Sequence, residues 1–130
     1  MAEKMPPEIQ QAAQQLDELQ EKYVATVNQR TLIESELAEI ERIIKSLEKL
    51  DKDSKVYRSV GNILFEEDKE KLLEELKEKK EMDEILLDRY KKEEERLKTQ
   101  ITALQEKLKK MVGEYYQKLS KTGLPRKQAS

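Results

Sequence analysis

Two long stretches of the chain carry apolar residues at alternating spacings of three and four. The first runs through Ile9, Ala12, Leu16, Leu19, Tyr23, Thr26, Arg30, Ile33, Leu37, Ile40, Ile44 and Leu47, broken only at Thr26 and Arg30. The second runs through Leu73, Leu76, Lys80, Asp83, Leu87, Tyr90, Glu94, Leu97, Ile101, Leu104, Leu108, Met111 and Tyr115, broken at Lys80, Asp83 and Glu94. A pattern sustained over so many turns keeps one stripe of each helix facing a partner, which is the signature of a coiled coil. Proline is tolerated in a first helical turn, so Pro6-Pro7 opens helix 1 over residues 7–50. Asp68 is placed to cap helix 2 over residues 68–121 by accepting an orphan backbone N–H. Gly123 and Pro125 stop that helix, and residues 122–130 read as a flexible tail.

The chain supplies its own partner. Only 17 residues separate Leu50 from Asp68, so the helices fold back antiparallel. With Leu47 beside Leu73, Ile33 comes opposite Leu87, Leu19 opposite Ile101 and Ile9 opposite Met111. Thr26, Arg30 and Glu94 then fall together, either as a polar layer that fixes the register or with the two charged groups bent outward to water.

Between the helices the pattern changes to period two. Residues 55–66 hold Val56, Tyr57 and Val60, then Ile63, Leu64 and Phe65, around Gly61-Asn62, two residues that tolerate positive φ. That spacing predicts a β-hairpin with Val60 opposite Ile63 and Arg58 opposite Phe65. A lone hairpin is marginal in water and leaves both edges open. Its apolar side chains therefore call for hairpins of other subunits, and Val56, Val60, Gly61, Asn62, Ile63, Leu64 and Phe65 are the expected assembly residues. The fold expected over residues 1–130 is a single, mostly α-helical domain: a long antiparallel two-helix coiled coil with one hairpin between its helices.

Composition narrows the function. Charged residues are 42% of the chain and aromatic ones 5%, with 26 basic against 28 acidic residues and no Cys, His or Trp. Without His or Cys there is no imidazole base, thiol nucleophile or thiolate metal site. The three glycines, Gly61, Gly113 and Gly123, form no phosphate-cradling loop. Asp51-Lys52-Asp53-Ser54 opens like a calcium loop, but Val56 stands where the loop glycine belongs and Asn62 where the closing glutamate does. The acidic runs 66–68 and 93–95 read as solvated helix faces. No enzyme activity, cofactor or metal is expected. No apolar run is long enough for a membrane span or a signal peptide, and the cytoplasm is the expected compartment.

One end of the coil differs in chemistry. From Lys107 to Lys127 seven basic residues stand against Glu114, mixed with Met111, Val112, Tyr115, Tyr116 and Leu119. The start of helix 1 adds Met5, Ile9, Ala12 and Ala13 at the same end. Exposed Met, Tyr and Leu suit adaptable contact with apolar polypeptide, whereas the same residues could simply finish the coil.

The hairpin read with its flanks, Leu50-Asp51 before, Val56-Tyr57 through Val60-Gly61-Asn62-Ile63-Leu64 within, and Asp68-Lys69 after, resembles the beta-class subunits of the prefoldin family. The resemblance extends from about Pro6 to Leu119, and room for one hairpin rather than two fits the beta class over the alpha class. It implies a hexameric, ATP-independent chaperone of two alpha and four beta subunits whose hairpins join in an intersubunit β-barrel. It also implies capture of unfolded proteins at the coiled-coil ends and their transfer to a group II chaperonin. The Lys- and Glu-rich, cysteine-free composition fits a thermophilic archaeal source. Two other readings compete: a structural coiled-coil tether without chaperone activity, and an RNA-binding arm. The balanced charge along most of the chain argues against nucleic acid.

Overall fold

A computed structural model of the chain describes residues 5–121. The tail expected at 122–130 lies outside the described residues. The elements are α1 (Pro7–Glu48), β1 (Val56–Val60), β2 (Ile63–Glu67) and α2 (Lys69–Lys121). They form two compact units, one comprising α1 up to Thr26 with α2 from Glu93, the other Val27–Lys92.

Local chemistry sets the element ends. The Pro6 carbonyl accepts from the N–H groups of Ile9 and Gln10 at 3.0 and 3.1 Å, which starts α1 at Pro7 as the prolines predict. At the other end Leu50 N–H donates to the Leu47 carbonyl at 3.2 Å, a bond over three residues that tightens the last turn. Consequently α1 ends at Glu48, two residues before the expected Leu50. The Lys69 ammonium, in the first turn of α2, donates to the Leu50 carbonyl at 3.0 Å and ties down this exit. Asp68 caps α2 as expected, its carboxylate accepting from Glu70 N–H at 3.2 Å.

In the Val27–Lys92 unit the core is a cluster of Ile40, Ile44 and Leu47 from α1 with Leu73 from α2, and Leu72 and Leu76 pack against it. Leu47 and Leu73 are thus brought together as the register predicts. Ion pairs flank the seam, Lys79 to Glu36 at 2.8 Å and Lys80 to Glu41 at 3.8 Å. In the other unit the buried side chains are Ile9, Ala12 and Leu97, the last only 1% exposed. Every seam position named from the sequence, in both helices, is at least half covered or fully buried. Thr26, a break in the first stripe, satisfies its hydroxyl on the Lys22 carbonyl at 2.8 Å, and Arg30 pairs with Glu34 at 2.8 Å. Among the described residues the one buried charged side chain is Asp83.

The hairpin has the predicted register, with Val60 opposite Ile63 and Arg58 opposite Phe65. Its turn makes the sequence reading more specific. Gly61 has φ of 60°, while no described residue other than glycine has positive φ, so Asn62 does not share the left-handed role. Positive φ at the first turn position alone has the sense of a type II′ turn, which matches strand twist. A Cβ on Gly61 would meet nothing within 4 Å, so the constraint is the backbone angle and not space. Gly61→Val is therefore expected to lower hairpin stability by about 1–2 kcal/mol. Hydrogen exchange of the β1 and β2 amides, read against that of α2, would check it.

Candidate functional site

Cross-strand partners share a face of a sheet, so the register divides the hairpin. One face carries Val56 with Glu67, Arg58 with Phe65, and Val60 with Ile63; the other carries Tyr57 with Glu66, and Ser59 with Leu64. Tyr57, Val60, Ile63, Leu64 and Phe65 are each more than half exposed. Charge is confined to the stem, where Arg58 bridges to Glu67 at 3.0 Å and Lys55 reaches Glu66 at 3.9 Å. The turn end is apolar on the first face, and each strand of this two-stranded sheet has one unpaired edge.

The expected assembly residues separate on this geometry. Val60, Ile63, Leu64 and Phe65 are presented to the outside, and Gly61 and Asn62 form the exposed turn. Val56 is not presented. It packs against the Ile40, Ile44, Leu47 and Leu73 cluster and docks the hairpin on its own unit. Tyr57 was not among the expected residues, although its side chain is as open as that of Phe65. Strand alternation from Val56 would have placed it on the second face beside Leu64.

The end of the other unit carries the second set of candidates. Ala13 and Tyr116 are exposed, and Met5, Met111, Val112, Tyr115 and Leu119 are partly covered. Ile9 and Ala12 are buried at 6% and 5% exposure, so they hold the unit together and do not offer surface. The rings of Tyr115 and Tyr116 lie 5.6 Å apart, tilted by 57°. Met1 and the basic residues Arg126 and Lys127 lie outside the described residues.

A shallow groove of about 440 Å³ opens further along the same unit, lined by Leu19, Ala103 and Leu104 together with Gln15, Glu18, Lys22, Gln100 and Lys107. Of its apolar lining, Leu19 and Leu104 are seam positions and Ala103 lies off the seam. On its outer surface Arg96 donates to Glu93 at 2.9 Å, and this hydrogen bond holds the Glu93 carboxyl below its ordinary range. Among the described residues no three His, Cys, Asp or Glu side chains are grouped to hold a metal ion. No helix there is long and apolar enough to cross a membrane. The chemistry on offer is contact: apolar side chains and open strand edges.

Comparison with known proteins bears on which contacts these are. Residues 10–115 match the family model described as prefoldin subunit. The prefoldin subunit beta of Saccharolobus islandicus is 35% identical over 124 residues, covering 95% of this chain and 98% of the relative. That of Archaeoglobus fulgidus is 37% identical over 108 residues, covering 83% and 93%. The crystal structure of the prefoldin beta subunit from Thermococcus strain KS-1 superposes with a TM-score of 0.71 at 28% identity, over 84% of this chain and 96% of that one.

Proposed function

The chain belongs to the prefoldin family, and from that membership we propose that it works as a beta-class subunit that captures unfolded polypeptide without ATP. A chaperone role, the absence of enzyme activity and assembly with other prefoldin subunits go with the family. The finer reading is that hairpins of neighbouring subunits close a shared β-barrel in a hexamer of two alpha and four beta subunits. Clients are then held at the coil ends by Ala13, Met111, Val112, Tyr116 and Leu119 and passed to a group II chaperonin in the cytoplasm.

The observation that carries this reading is the open hairpin. Five large apolar side chains, on both faces of a two-stranded sheet, stand more than half exposed. Apolar surface so concentrated on open-edged strands is explained by completion from other chains. If sheet formation satisfies the hairpin, client contact falls to the apolar residues at the end of the other unit. The absence of a nucleotide-binding motif in the sequence fits a holding role.

The test is to mix the chain with an alpha-class subunit and add it to a chemically denatured protein diluted from denaturant. A complex larger than either subunit and a fall in light scattering without ATP are expected. Complex formation with no effect on scattering would instead mark the chain as a tether.

A further inference from the structure

Asp83 has no part in the assembly or client surfaces, yet it is the most closely enclosed charged side chain described. It is 3% exposed, and its Oδ2 has no hydrogen-bond partner. It stands on the α2 stripe between Leu76 and Leu87, where a hydrophobic residue would continue the seam. The ionisable groups bordering it are Glu36 from α1 and Lys79 from one turn earlier on α2. Those two are joined by the 2.8 Å ion pair, with side chains 39% and 53% exposed, so the pair lies at the margin of the seam and Asp83 within it. In the same unit Lys80 pairs with Glu41 and Arg30 with Glu34, so each of these charges already has its counter-ion.

With all three groups ionised, the cluster holds two negative charges against one positive. The surplus charge then belongs to the most buried member, where a carboxylate without a partner is least tolerated. One proton removes the mismatch. A protonated Asp83 becomes a donor, the Glu36 carboxylate can accept from both Asp83 and Lys79, and the cluster is neutral.

We propose that Asp83 and Glu36 share a proton in a carboxyl–carboxylate hydrogen bond, and that this bond makes the α1–α2 seam of the Val27–Lys92 unit sensitive to pH. Burial, followed by the charge of Glu36, pushes the Asp83 carboxyl up from its ordinary value. The hydrogen bond from Lys79 chiefly pulls Glu36 down, and the bond with Asp83 adds to it. The signs of linkage follow. Asp83, raised on folding, burdens the folded state at neutral pH, and the burden lifts as pH falls through the raised value towards the ordinary aspartate value near ~3.9. Glu36, lowered on folding, stabilises above the ordinary glutamate value near ~4.3, and that support is lost as pH falls through its lowered value. Acidification from neutral therefore first tightens this seam and then, in stronger acid, loosens it.

The experiment uses the full-length chain labelled with carbon-13 at its carboxyl groups, with hydrogen exchange of residues 33–44 and 76–90 corrected for intrinsic rate. Asp83 should titrate above ordinary aspartates and Glu36 below ordinary glutamates, and protection should rise as pH is lowered from neutral. In Asp83→Asn, whose amide replaces the shared proton with a permanent donor, protection at neutral pH should rise severalfold and lose that slope. In Glu36→Gln the Asp83 titration should move down. An Asp83 that titrates like an ordinary aspartate, a slope that survives in Asp83→Asn, or an Asp83 titration unmoved by Glu36→Gln would each overturn the proposal.

Discussion

Ile63→Asp is expected to abolish assembly with an alpha-class partner while leaving both helices folded. In the free subunit Ile63 is 60% exposed, so a carboxylate there costs the isolated fold little. Its place is the turn end of the apolar face, opposite Val60 and beside Phe65, where another chain's hairpin would cover it. Covering an unpaired carboxylate costs on the order of 3–5 kcal/mol per interface, a hundredfold or more in Kd. The salt bridge from Arg58 to Glu67 cannot rescue it, because that guanidinium is already engaged at the stem. Native mass measurement of the mixed subunits, with circular dichroism for helicity, reads the two effects separately. Val56→Asp makes the contrast. Val56 packs on the Ile40, Ile44, Leu47 and Leu73 cluster, so its replacement should lower the thermal midpoint of the subunit itself. Full assembly by Ile63→Asp would place the subunit interface elsewhere than on the hairpin.

The helices were legible because a coiled-coil stripe is a one-dimensional record of burial: each named seam position, from Ile9 to Leu47 and from Leu73 to Tyr115, is covered. The hairpin register was equally legible, since two residues between β-prone runs leave one pairing, Val60 with Ile63. Other features depend on how elements meet, which spacing does not encode. Lys69 reaching the Leu50 carbonyl follows from the return of the chain. Val56 is a strand residue like Val60, and only its place next to the coil core makes one an anchor and the other an open surface. Ile9 and Ala12 looked like client contacts because they begin a helix, yet the first turns of α1 are packed as tightly as its later seam. Asp83 registered only as a gap in a leucine pattern, and the neighbouring carboxylate of Glu36 became visible once the two helices were placed together.

The double variant Val112→Glu/Tyr116→Glu is expected to lose client capture while assembling normally. Met111 and Tyr115 occupy the stripe of α2, whereas Val112, Tyr116 and Leu119, spaced by four and three, form a flank beside it. Tyr116 is 42% exposed, and Val112 and Leu119 are partly open, so acidic side chains there meet water in the free subunit and cost the coil little. Against an apolar client segment each change removes roughly 1–2 kcal/mol of burial, which together weaken capture by about thirty- to a thousandfold. Point changes are a cleaner probe than trimming the ends, because removing the start of α1 also removes buried Ile9 and Ala12. The measurement is the concentration of assembled complex that halves the light scattering of a denatured protein, repeated at low and high salt. Capture by apolar contact should persist in high salt, whereas capture by Lys107, Lys109, Lys110, Lys118 and Lys121 should fade as their charge is screened. A double variant that holds clients as well as the parent, or a parent whose holding collapses in salt, would move the client site from this apolar flank to the basic one.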